Sequence, residues 1–118
     1  SGRLWDDALC YSFYPIDLHT PSDQGLTIRK LARGVTPTIP RSAMIPRGRS
    51  RMLVAGRCVS SDPLAHSALR VQASCMAMGQ ACGAMAALSG RTGIAAGHLP
   101  LSDIRALLKQ HAAIIPSA

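Results

Sequence analysis

Aromatic side chains are scarce in this chain, with one Trp, two Tyr and one Phe among 118 residues. A surface that stacks nucleobases needs several rings spaced along a basic groove, so the sequence offers little to a single-stranded nucleic acid. Acidic residues are also few: six Asp and Glu stand against thirteen Lys and Arg, for a formal net charge of +7. Most of the cations are Arg, whose planar fork suits phosphates and carboxylates. Charge alone would fit a nucleic-acid module, an anionic cofactor, or one part of a larger charge distribution. The shortage of aromatics argues against the first, and no nucleic-acid partner is expected. The four cysteines, Cys10, Cys58, Cys75 and Cys82, include no CxxC pair. That spacing matches neither the usual zinc and iron–sulfur patterns nor a disulfide framework, so no metal is expected. With no secretory leader in the sequence, buried thiols in a reducing cytoplasm are the expectation.

Charge of either sign is thin, at 16% of residues, while hydrophobic residues reach 47%. Such a chain has enough apolar surface to fold, which excludes a disordered segment, and its length suits one modest domain. The apolar content is mainly Ala, Leu, Met, Ile and Val, a set that packs helices closely against a sheet. Residues 71–88 carry no charge at all, a length that raises the question of a membrane span. Gln72 and Gln80 interrupt the run, Ala, Gly, Ser and Cys dominate it, and neither border carries Trp or Tyr. Those features contradict a spanning helix and predict a buried helix with no membrane partner.

Read along the chain, residues 1–34 are irregular apart from two alternating stretches. Residues 11–19 (YSFYPIDLH) end in polar–apolar alternation and predict a strand, and residues 26–31 alternate again. The segment between them, TPSDQG at 20–25, is rich in turn formers, so the two stretches predict a hairpin. Asp17 and His19 lie two apart on one face of that strand. They are a candidate acid–base pair, although exposed Asp and His more often form an ordinary surface pair. Pro37, Pro40 and Pro46 confine residues 38–45 to an edge strand or loop, and residues 47–51 (RGRSR) read as a solvated basic turn. The short apolar run MLVAG at 52–56 fits a strand covered on both faces in a parallel sheet. Residues 57–69 then read as a loop, followed by the uncharged helix. Gly79 and Gly83 share one face of that helix and would admit a backbone or cofactor closely. Gly90 and Gly93 end it. Ser102 is placed to cap a last helix with a stripe of Ile104, Leu107, Leu108 and His111.

The unit that carries chemistry is strand, Gly56-Arg57 loop and uncharged helix. A helix that starts opposite a strand's end offers unpaired amides and the positive end of its dipole to an anion. Taken with their order, the phrases YPIDLH, IPRSAMIPRG, LVAGRCVSS and LRVQASCMAMGQACGAMAAL resemble consecutive segments near the C-terminus of a family of FAD-dependent oxidoreductases. The resemblance covers nearly the whole chain. It implies a glutathione-reductase-like ancestry of two dinucleotide folds, and hence an α/β fold. Residues 48–118 would be the C-terminal part of a Rossmann-like FAD-binding domain, with 53–56 its last parallel strand, and residues 1–47 the end of an inserted substrate domain. By the same resemblance, Gly56 and Arg57 lie near the ribityl chain and pyrophosphate of FAD. Arg70, Val71 and Gln72 lie beside the isoalloxazine, and Ser74, Cys75 and Met76 begin the helix beneath it. His66 corresponds to the histidine of a His-Glu pair in the loop after the strand, and joins Asp17 and His19 as a catalytic candidate.

The sequence also departs from the family pattern. The Glu of the His-Glu pair is missing from SDPLAH at 61–66, and Ala73-Ser74 stands where relatives have Pro-Thr. No GxGxxG follows a strand, although that loop cradles the ADP moiety of FAD. The nearest glycines, in GRTGIAAG at 90–97, follow a helix and have the wrong spacing. The expectation is therefore the C-terminal portion of an FAD-dependent oxidoreductase. It would act on a small-molecule substrate, with the dinucleotide-binding half supplied by missing sequence or a partner chain. The competing reading is a non-catalytic assembly subunit that docks a partner through an exposed sheet edge.

Overall fold

The computed structural model describes residues 3–19 and 26–116. It is a small α/β arrangement with four short strands, β1 (Ala8–Tyr11), β2 (Ile16–His19), β3 (Leu26–Arg29) and β4 (Thr38–Pro40). Strands β2 and β3 form the expected antiparallel hairpin, with Ile16 opposite Arg29 and His19 opposite Leu26. The expected turn at 20–25 lies outside the described residues. Strand β1 pairs antiparallel with β4, with a bulge between Ala8 and Cys10. Sequence reading took β1 for irregular chain because Ala8, Leu9 and Cys10 are all buried, which removes the alternation that marks a half-exposed strand. Strand β4 stops at Pro40, which has no N–H for a ladder, and residues Arg41–Met44 tighten into a 3₁₀ turn.

Three helices follow: α1 (Pro63–Leu69), α2 (Gln72–Thr92) and α3 (Leu101–Gln110). Helix α1 occupies part of the stretch read as a loop. The Asp62 carboxylate accepts from the Ala65 N–H at 3.0 Å, and Pro63 takes the first helical position, where its fixed φ and missing N–H cost nothing. At this length the helix shows no period to read. Helix α2 ends as expected, at Gly93 in the left-handed region with φ 74°. Helix α3 corrects its expected cap: it starts after Pro100 with no side-chain cap, and the Ser102 hydroxyl donates to Asp103 Oδ1. Its buried positions are Ile104 and Leu108, while His111 is exposed past the last turn.

Helix α2 is the centre of the core. Ser74, Met78, Ala81, Met85 and Leu88 form its buried stripe, and they meet Leu9, Cys10, Ile39 and Met44 on one side and Ile104 and Leu108 on another. Spacing of this kind keeps all five on one narrow face. The opposite face, uncharged as far as Arg91 in the last turn, is open: Met76 is 68% exposed, and a Cβ added at Gly79 or Gly83 meets nothing within 4 Å. Among the described residues, no helix is long and apolar enough to cross a membrane.

Residues 52–55 require a correction. They are not a strand in this chain, although Ala55 is extended, at φ −133° and ψ 156°. The Val54 N–H donates to Met44 O at 2.9 Å, and the Cys82 thiol donates to Val54 O at 3.6 Å. A parallel strand exists only beside another strand, and among the described residues none flanks this segment. The chain is also elongated, 52 × 30 × 20 Å with a radius of gyration of 15.1 Å, against about 13.5 Å for a compact domain of this length.

Candidate functional site

Gly56 has φ +77°, a conformation that costs an L-residue about 1–2 kcal/mol, and it swings the extended segment into a 3₁₀ turn at Gly56–Cys58. The Val59 N–H closes the turn on Gly56 O at 3.1 Å. A Cβ at Gly56 would lie 3.7 Å from Cys75 Cβ, which is ordinary contact, so the backbone and not the space calls for glycine. The turn therefore sits against the first turn of α2, although no strand immediately precedes it and α1 intervenes in the chain.

Arg57 is exposed, and its Nε donates to Arg70 O at 3.3 Å. His66 Nε2 lies 3.2 Å from Arg57 O. A carbonyl only accepts, so this contact places the proton on Nε2 and leaves Nδ1 of the neutral ring to accept. Arg70 Nη2 donates to Asp17 O at 3.3 Å, the Asp17 N–H donates to Ser67 Oγ at 3.2 Å, and Ser67 Oγ donates to Leu64 O at 2.8 Å. The structure thus brings Arg57, His66, Arg70 and the Asp17 backbone into one network that fastens β2 to α1. His19 ends β2, and its side chain lies outside what the structure describes.

Helix α2 begins at Gln72, two residues before the expected start at Ser74. Val71 is the N-cap residue, extended at φ −72° and ψ 151°, and no side chain caps the helix or adds an acid to its first turn. The Cys75 N–H is bonded to Val71 O at 3.0 Å, so the amides of Gln72, Ala73 and Ser74 precede the first intrahelical bond. Gln72, Ala73 and Met76 are exposed. Ser74 instead turns inward: its hydroxyl donates to Ser12 Oγ at 3.3 Å, which donates to Ala68 O at 3.2 Å. The Cys75 thiol points back toward Leu69 O at 3.7 Å. The result is an open helix end with positive dipole character, close after Arg70, whose carbonyl accepts from Arg57 Nε. Its donors fit an anionic or electron-rich group such as the pyrophosphate or ring edge of a dinucleotide.

The deeper thiols have another character. Burial, then the proximity of Cys82, pushes Cys10 up to about 12, and burial also raises Cys82. Both stay protonated at neutral pH and serve as core atoms. Among the described residues, no three His, Cys, Asp or Glu side chains come together as a metal site.

A cleft of about 760 Å³ opens beside the same loop. Its walls include Trp5 and Tyr14, Arg29 and Lys30 from the hairpin, and Ser60 and Ser61 from the loop. Sequence reading missed these residues, because they come from four separate segments and share no motif. Gly56, Arg57 and the start of α2 do not line it. A second hollow of about 430 Å³ lies between α2 and α3, beside Gln80, Gly83 and His111. Compared with known proteins, residues 1–108 match the family model described as FAD dependent oxidoreductase. No curated protein and no solved structure gives a significant match.

Proposed function

Because the chain belongs to the FAD dependent oxidoreductase family, which makes FAD its cofactor, we propose that it forms the C-terminal portion of such an enzyme and presents the start of α2 to the flavin. Bound FAD supplies the two-electron acceptor and donor for hydride or electron transfer. The residues assigned to hold it are Gly56, Arg57, Arg70, Val71, Gln72, Ser74, Cys75 and Met76. Gly56 and Val71 set the backbone so that the free amides face outward, and Gln72 and Met76 cover the approach. Ser74 and Cys75 contribute through their backbone, since their side chains bond within the chain. Arg57 and Arg70 balance negative charge on the cofactor or substrate. His66 is the base in this reading, protonated at Nε2 and open at Nδ1, with Asp17 and His19 behind it on β2.

The single observation that carries this reading is the uncapped helix end beside the Gly56 turn. Its natural extension is that residues 52–55 become the last parallel strand of a Rossmann-like sheet once a GxGxxG-bearing half, from missing sequence or a partner chain, lies alongside. Residues 1–47 then face the substrate and residues 48–118 the flavin. The test is Val71→Asp. A carboxylate at the N-cap position satisfies the free amides and strengthens the helix by about 1 kcal/mol, yet it repels and displaces the cofactor. In a flavin-fluorescence titration, FAD binding to the 118-residue chain is expected to be weak and to fall at least about tenfold in the variant, while its urea midpoint rises. Unchanged FAD affinity in a stabilised variant would falsify the assignment.

A further inference from the structure

We propose that the 760 Å³ cleft beside this loop receives the substrate, and that the substrate is an organic anion with a flat apolar body. The proposal rests on the flavin lying at the Gly56 turn, because Val59, Ser60 and Ser61, which line the cleft, follow that turn directly. Cofactor and cleft then sit on two sides of one loop. The volume falls within the range of small-molecule sites.

The lining defines the ligand class. Apolar side chains such as Ile16, Leu31, Val35 and Leu64 make up most of the wall. Trp5 and Tyr14 are 38% and 37% exposed, so part of each ring remains available to a planar group. The charges are unbalanced: Arg3, Arg29 and Lys30 face one carboxylate, Asp62. That carboxylate already accepts from the Ala65 N–H as the cap of α1, and Arg3 lies 3.9 Å above the Trp5 ring. Arg29 and Lys30 are exposed, and among the described residues neither forms an ion pair. An apolar trough lined by exposed cations that pair with no described carboxylate favours a ligand whose negative group meets those cations while its body enters.

The experiment uses the 118-residue chain and two probes with the same ring system, 8-anilinonaphthalene-1-sulfonate and the uncharged N-phenyl-1-naphthylamine. Quenching of Trp5, the one tryptophan, locates the probe. The sulfonate is expected to saturate a single site, quench Trp5, and bind about fivefold more tightly than the neutral probe, as two exposed cations contribute. In the Arg29→Gln/Lys30→Gln double variant that preference should vanish. Both positions are exposed and leave the core untouched, and the Val71→Asp chain should keep the full preference. Equal affinity for the two probes, binding without Trp5 quenching, or a preference that survives the double variant overturns the proposal while leaving the flavin assignment standing. FAD that displaces the sulfonate and loses affinity in the double variant marks the cleft as the cofactor's and also overturns it. A failure of Val71→Asp to weaken FAD overturns the flavin assignment instead.

Discussion

Cys10 links a single buried atom to the pH range in which the protein holds together. Its thiol is pushed from the ordinary 9.0 up to about 12, by burial first and then by Cys82. A group raised in the folded state stabilises fully below its unfolded value and loses that contribution as pH climbs toward the folded value. Stability should therefore decline from about pH 9 towards pH 12, by at most about 1.4 kcal/mol per pH unit from this thiol. Urea midpoints at pH 8, 9.5 and 10.5 would follow this decline, and Cys10→Ala should show a shallower slope over the same interval. An identical slope in the variant would count against burial as the cause. The sequence led to an expectation of buried thiols, which holds for Cys10 but not for exposed Cys58 or half-buried Cys75 and Cys82; which cysteine goes deep depends on strands β1 and β4 meeting α2. Gly56 is the opposite case. Its position after an apolar run and before a helix marked it as a turn, and the structure gives it a positive φ.

Among the elements, the longest were the easiest to read. The charge-free composition of residues 71–88 and the glycines beyond them delimit α2 to within a few residues, and alternation around a turn-rich segment locates the hairpin. Strand β1 and helix α1 escaped for physical reasons: one is too buried to alternate and the other too short to show a period. The Asp62-Pro63 pair was the available signal for α1. Gly79 of α2 offers a test at this scale. It is exposed, and an added Cβ meets nothing within 4 Å, so the chain gains no packing in return for the loss of helix propensity. Gly79→Ala should raise the stability of the 118-residue chain by about 1 kcal/mol, read as an increased urea midpoint. A loss of stability would show that the open face is occupied within the chain itself.

At the scale of the whole molecule, elongation and one-sided burial of α2 belong together. The helix carries no charge before Arg91 in its last turn yet is buried along one stripe, a pattern that fits a second body against its free face. Gly83→Leu distinguishes this from an ordinary surface helix. The variant should fold as well as the parent, since the site is open. It should also fail to recombine with a separately supplied GxGxxG-bearing half, measured as loss of flavin absorbance in the co-purified complex. Recombination at parental yield would remove the free face from the interface. The absent glycine loop is the sequence feature behind the proposed second half, whereas the cleft was not legible, because its aromatic and basic walls come together only through folding.

Residues 52–55 carry a practical consequence for anyone producing this polypeptide. Their side chains are apolar, Ala55 is extended, and among the described residues no strand lies beside Leu53 and Ala55. A stretch of that kind adheres readily to a sister molecule. Expressed by itself the polypeptide should form clumps that grow with concentration, and simultaneous synthesis of the proposed GxGxxG-bearing half should keep it monodisperse.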